Sequence, residues 1–197
     1  MLKFGKRINY RPLVFSLFYG VLLFLITLIF SKPILSIFLG ILLFLWILFG
    51  YYWRILPTMF NYWEVDEKTI KYSDMTNKGK KTLMLIAPFS VPMQSVKLDS
   101  IKSVTVTGNL GKFKEIPLAI PYTGYLAILT SIISVIRNPI DLTFTLKDGS
   151  SFNVSAARDF VWDRKNIVSK LDKLFKKLDD SDIQVVDKTD HALKFSY

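Results

Sequence analysis

The chain has 197 residues, enough for one domain plus a membrane anchor but hardly for two sizeable soluble cores. It carries no cysteine, which excludes disulfides, thiolate metal sites and cysteine nucleophiles. Its formal charge of +10, from 26 Lys and Arg against 16 Asp and Glu, is concentrated beside long apolar runs. That placement points to anionic lipid before nucleic acid, for which no motif is present.

Lys3, Lys6, Arg7 and Arg11 make residues 1–12 a basic amino-terminal segment. Residues 13–30 then hold no charge, and 14 of these 18 are Leu, Ile, Val or Phe. As a helix rising about 1.5 Å per residue they reach close to the roughly 30 Å of bilayer hydrocarbon. Ser31-Lys32-Pro33 separates them from residues 34–52, 13 of which belong to the same four types. Each such residue favours insertion by about 0.3–0.6 kcal/mol near the bilayer centre, so each run favours it by several kcal/mol. A secretory signal would share the basic start, but it would be shorter and would end in a small-residue cleavage pattern that is absent here. A buried helix pair of a soluble protein would carry a polar face, and these runs have none. Pro33 suits the first turn of a second helix. The expectation is a transmembrane hairpin over residues 13–53, with both chain ends cytoplasmic by the positive-inside rule and Lys32 at the outer face. Tyr51, Tyr52 and Trp53 read as an interfacial aromatic belt, and Tyr62 and Trp63 either extend it or pack on the first strand.

After Pro57 the apolar period becomes that of strands. "YWEVDEKTIKYS" predicts two short strands around Asp66-Glu67, and "KKTLMLIAPFSVP" a largely apolar strand entered through the turn-like "TNKGKK". "VKLDSIKSVTVTG" alternates and stops at Gly108. "PIDLTFTLKDGSSFNVS" predicts a hairpin turning at Asp148-Gly149. From about 159 to 178, Phe160, Ile167, Val168, Leu171, Leu174, Phe175 and Leu178 share one helical stripe, the signature of a helix packed on a sheet. Residues 179–197 read as a polar tail.

The expected fold is therefore α+β: an amino-terminal transmembrane helical hairpin, then an antiparallel β domain over residues 54–178 closed by an amphipathic helix. In its segments "YWEVDEKTIKYS", "SVKLDSIKSVTV" and "PIDLTFTLKDGSSFNVSAARDF" it resembles the bacterial pleckstrin-homology-like (PH-like) membrane proteins. Small two-helix membrane proteins of lactic-acid bacteria in the EbsA group are similar at the same level. The resemblance implies a non-catalytic cytoplasmic domain that binds a protein partner or anionic lipid at the inner leaflet of a bacterial cell membrane. It also implies that Lys78, Lys80 and Lys81, in a turn between the first strands, contact lipid head groups. Lys6, Arg7, Arg11 and Arg54 belong to the same membrane level, and ordinary positive-inside charge is the plainer account of all seven. An alternative role is that of a bacteriocin-immunity or pore-associated protein acting through its transmembrane helices.

Residues 116–136, "IPLAIPYTGYLAILTSIISVI", are uncharged and long enough on paper for a third span. Pro117, Pro121 and Gly124 break their first third, which favours a buried strand with a membrane-touching loop or helix. No catalytic constellation is expected. The single histidine, His191, stands in the polar tail without a partner. "GNLGK", from Gly108, is too short for a phosphate loop and lacks the Ser or Thr after its lysine. The carboxylates of "DDSD" with Asp187 and Asp190 are scattered, and Asn153-Val154-Ser155 is a sequon of no consequence in a cytoplasmic strand. No cofactor or metal is expected.

Overall fold

A computed structural model describes residues 1–75, 77–90, 93–108 and 133–189. The chain forms two compact units. The helical unit comprises residues 7–57 and 74–92, and the β unit comprises residues 1–6, 58–73 and 93–197.

In the helical unit, α1 (Arg11–Phe30) and α2 (Pro33–Leu45) are separated by Ser31-Lys32. Pro12 and Pro33 occupy first-turn positions, where a missing N–H costs nothing, and Lys32 adopts the extended cap conformation. The second helix continues as a π-helix over Trp46–Tyr52 and as α3 (Trp53–Met59), so Pro33–Met59 is one run of 27 helical residues. Both runs are long and apolar enough to cross a bilayer.

The pairing of α1 with α2 rests on a repeat. "SLFYGVLLFL" (16–25) recurs as "SIFLGILLFL" (36–45), identical at seven of ten positions. Ser16, Gly20, Ser36 and Gly40 are the buried residues of the two helices, apart from Pro12. A Cβ added to Gly20 would lie 2.9 Å from the Gly40 carbonyl oxygen and 3.0 Å from Phe44 Cβ. The reciprocal distances from Gly40 to Gly20 and Phe24 are the same, so the crossing has a local twofold symmetry. Ser-x-x-x-Gly on each helix is a small-xxx-small pair, the spacing that lets backbones approach closely. The hydroxyls are satisfied within the helices: Ser16 donates to Pro12 O at 2.7 Å and Thr27 to Leu23 O at 2.8 Å. Large side chains point outward instead, with Phe30 84 % and Trp46 70 % exposed.

The β unit contains two four-stranded sheets. In the first, β1 (Leu2–Gly5), β2 (Tyr62–Val65), β3 (Thr69–Tyr72) and β4 (Gln94–Lys97) are antiparallel in sequence order. In the second, the order is β7-β6-β5-β8. There β5 (Ile101–Gly108), β6 (Ile140–Leu146) and β7 (Ser151–Ser155) are antiparallel, and β8 (Gln184–Thr189) runs parallel to β5. The core joins both sheets to the carboxy-terminal helix through buried Phe4, Trp63, Ile70, Val104, Leu142, Phe144, Phe160, Ile167, Leu171 and Leu174. Phe4 stacks on Trp63 at 3.9 Å, Trp63 meets Phe144 edge-on at 6.2 Å, and Phe152 stacks between Phe144 and Tyr72 at 5.0 and 4.3 Å. Such ring pairs add about 0.5–1.5 kcal/mol each beyond their buried area. The Trp63 indole N–H donates to Ser155 O at 3.0 Å, so its polar edge is satisfied.

Several expectations change. The helix expected at 159–178 is two: α5 (Ala157–Trp162) and α6 (Arg164–Asp179), broken at Asp163. Val168, expected on its apolar stripe, is exposed. The Ile183 and Asp182 N–H groups donate to Leu178 O and Asp179 O at 3.0 and 2.9 Å, the Schellman pattern, with Asp182 at φ 55. That cap turns the chain into β8, so part of the expected polar tail is a strand. The basic amino-terminal segment likewise supplies β1. Of residues 116–136 only 133–136 are described, in a helical turn over 133–137. His191, Asp190 and residues 109–112 of "GNLGK" lie outside the described residues.

Candidate membrane-interface site

The segment "KGKKTLMLI" forms a helix, α4 (Lys78–Ile86), and not the strand expected there. Asn77 starts it: its side-chain oxygen accepts from the Gly79 N–H at 2.8 Å. Met84 and Leu85 are its buried residues, whereas Leu83, Ile86 and, in the following turn, Phe89 are 44, 49 and 55 % exposed. Lys78, Lys80 and Lys81 therefore sit on the first turn of a helix, not in a loop between strands.

Two contacts place α4 within the helical unit. Lys81 Nζ lies over the Trp53 ring, 5.3 Å from its centroid, a cation–π geometry. Phe89 meets Tyr10 edge-on at 5.0 Å. Tyr10 caps the start of α1 and Trp53 follows the π-helix, so both mark the end of the antiparallel pair remote from Lys32. Tyr51 and Tyr52 belong to the same end, half-buried and edge-to-face at 5.0 Å.

Charge at that end is one-sided. Asp74 is the one acid of the helical unit, and it pairs with Lys80 at 2.9 Å. Arg7, Arg11, Arg54 and Lys78 are exposed, and Lys81 is half-buried. Lys32 alone marks the opposite end. Lys6 departs from this group: it belongs to the β unit, where its N–H donates to Asn61 O at 3.1 Å. Leu83, Ile86, Phe89 and Tyr10 were missed as site residues in the sequence. The signal available for them was Asn77 as a cap with Pro88 and Pro92 as stops.

The β unit holds one further polar cluster. Asp159 Oδ2 accepts the Gly5 N–H at 3.0 Å, tying α5 to β1. Burial raises the Asp159 carboxyl above its ordinary value, while the Gly5 hydrogen bond and the charges of Lys170 and Arg158 oppose that shift. Arg158 lies 4.0 Å from Asp159 and stacks over Trp162 at 5.1 Å. Asp163 nearby adds to the upward shift, and the Gly5 hydrogen bond makes the cluster a tie between α5 and β1. Among the described residues no group of three or more His, Asp or Glu has metal-holding geometry. No protein-family model, curated protein or solved structure matches this chain.

Proposed function

We propose that the chain is a two-span integral membrane protein of a bacterial cell membrane that holds its β unit, as a PH-like domain, on the cytoplasmic side to bind a protein partner or anionic lipid without catalysis. The observation that carries this reading is the inverted packing of α1 against α2: glycines and serines inside, Phe, Leu and Ile outside. Water penalises that arrangement heavily, and a lipid interior does not.

The β1–β2 ladder supports the topology. Gly5 pairs with Tyr62, so the chain before α1 and after α3 meets in one sheet, which requires an even number of crossings between them. The six basic residues at that end against one at the other support its being cytoplasmic. Two sheets with one amphipathic helix packed on them support the PH-like reading. The amino-terminal β1, the α4 insertion and the strand after α6 are departures from the expected strands-then-helix layout.

The test is topological. The protein is expected to resist alkaline carbonate extraction, to shield both termini from protease added outside whole cells, and to expose a Lys32→Cys label to an impermeant maleimide. Extraction into the wash, or digestion of the tail from outside, overturns it. Residues 54–197 alone would be a poor binding probe, because they lack β1 and leave Trp63 without its Phe4 partner. Binding is better measured on the whole protein in anionic vesicles.

A further inference from the structure

The strands β3 and β4 pair directly, with Thr69 opposite Lys97 and Tyr72 opposite Gln94, yet about twenty residues separate them in the chain. That excursion leaves the β unit and joins the helical unit, where it forms α4. A hairpin between adjacent strands needs only two to five residues, so the insertion is not explained by connecting them.

Three features define what α4 meets. It touches the base of both long helices, through Phe89 on Tyr10 and Lys81 on Trp53. Leu83 and Ile86 on α4 and Phe89 in the turn after it are large apolar side chains left exposed. The same unit holds exposed Arg7, Arg11, Arg54 and Lys78 and a single, already paired acid. Apolar side chains beside a row of cations match the boundary between acyl chains and anionic head groups.

We infer that α4 and Phe89 form an interfacial clasp that lies in the anionic cytoplasmic leaflet, with Leu83, Ile86 and Phe89 at acyl depth and Lys78, Lys81, Arg54 and Arg11 among the phosphates. This deepens the reading proposed above and rests on it: the membrane grips the β unit through its β3–β4 connection as well as through the hairpin.

The absence of native cysteines allows a clean test. Leu83→Cys, Ile86→Cys, Phe89→Cys, Lys78→Cys and Leu25→Cys, each carrying an environment-sensitive fluorophore, are reconstituted as full-length protein in vesicles with and without phosphatidylglycerol. The expected result is a blue shift and loss of iodide quenching at positions 83, 86 and 89 in anionic vesicles, with Lys78→Cys remaining quenchable. Quenching at all three positions while Leu25→Cys stays protected overturns the clasp and leaves the hairpin standing. Quenching at Leu25→Cys overturns both. Equal protection with and without phosphatidylglycerol overturns the anionic preference, and Lys78→Gln with Lys81→Gln is expected to reduce protection at 89 only in the anionic vesicles.

Discussion

The two units of this chain solve opposite packing problems with much the same residues. In the β unit Trp63, Phe4 and Phe144 are fully buried in one core. In the helical unit Trp46, Phe30 and Ile34 are among the most exposed residues of the protein, and Gly and Ser fill the seam. Burial of apolar area drives the first arrangement. It cannot drive the second, where close backbone approach and van der Waals contact remain. The difference teaches that apolar burial organises one unit and close backbone approach the other, the contrast expected if the proposed lipid is the second unit's solvent.

Substitutions can break that contrast. Trp63→Ala removes the ring that links both sheets and is expected to cost about 3–5 kcal/mol in urea or thermal unfolding of the β unit, whereas exposed Trp46→Ala should cost less than about 0.5 kcal/mol. Equal effects from the two would erase the distinction. Leu25→Asp, at a side chain 53 % exposed, is expected to disfavour insertion by about 3 kcal/mol, read as loss of the carbonate-resistant fraction. In an aqueous unit an exposed change of this kind would be close to neutral, so a neutral result counts against lipid as the solvent. Gly20→Leu drives a side chain into the Gly40 backbone and should destabilise the helix pair by about 1–3 kcal/mol. Thermal loss of helical circular dichroism in the reconstituted protein, with and without that change, reads the effect.

Asp159 sharpens the β side. Asp159→Ala strands the Gly5 N–H and should cost about 1–3 kcal/mol, while Asp159→Asn keeps an acceptor and costs less. Because the folded carboxyl is raised above its unfolded value, its stabilising contribution is full below the unfolded value and fades as pH rises through the folded one. Unfolding of Asp159→Asn across the acid range should lose that pH dependence and gain on the native protein as pH rises. A parallel pair of pH profiles would remove Asp159 from the account.

What the sequence disclosed follows from how local each signal is. The two apolar runs were plain, because each is a continuous stretch with no charge inside it. Alternation placed β2, β3 and the β6–β7 hairpin, whose Phe144 and Phe152 do face each other across the ladder. "LMLI" inside α4 was read as strand because four apolar residues in a row fit either element, and only the Asn77 cap decides. β1 escaped because four residues within a basic segment pair with a partner beyond both long helices. β8 escaped because "QVVDKT" is a half-polar edge strand parallel to β5. The Ser-x-x-x-Gly repeat was in plain view, yet its meaning depends on two helices crossing at Gly20 and Gly40. Of the seven basic residues placed at the membrane level, Lys6 alone falls in the β unit.

The short strand at Leu2–Gly5 has a consequence for biogenesis. It is synthesised before both long helices but finds its partner only after nearly sixty more residues have left the ribosome. If one helix of the proposed pair failed to thread the bilayer, Phe4 and Trp63 would be stranded on opposite faces. The first sheet would then lack its edge. Under the proposed topology, formation of the β1–β2 ladder would report that both helices had threaded, and misthreaded chains should be the ones cleared by quality-control proteases.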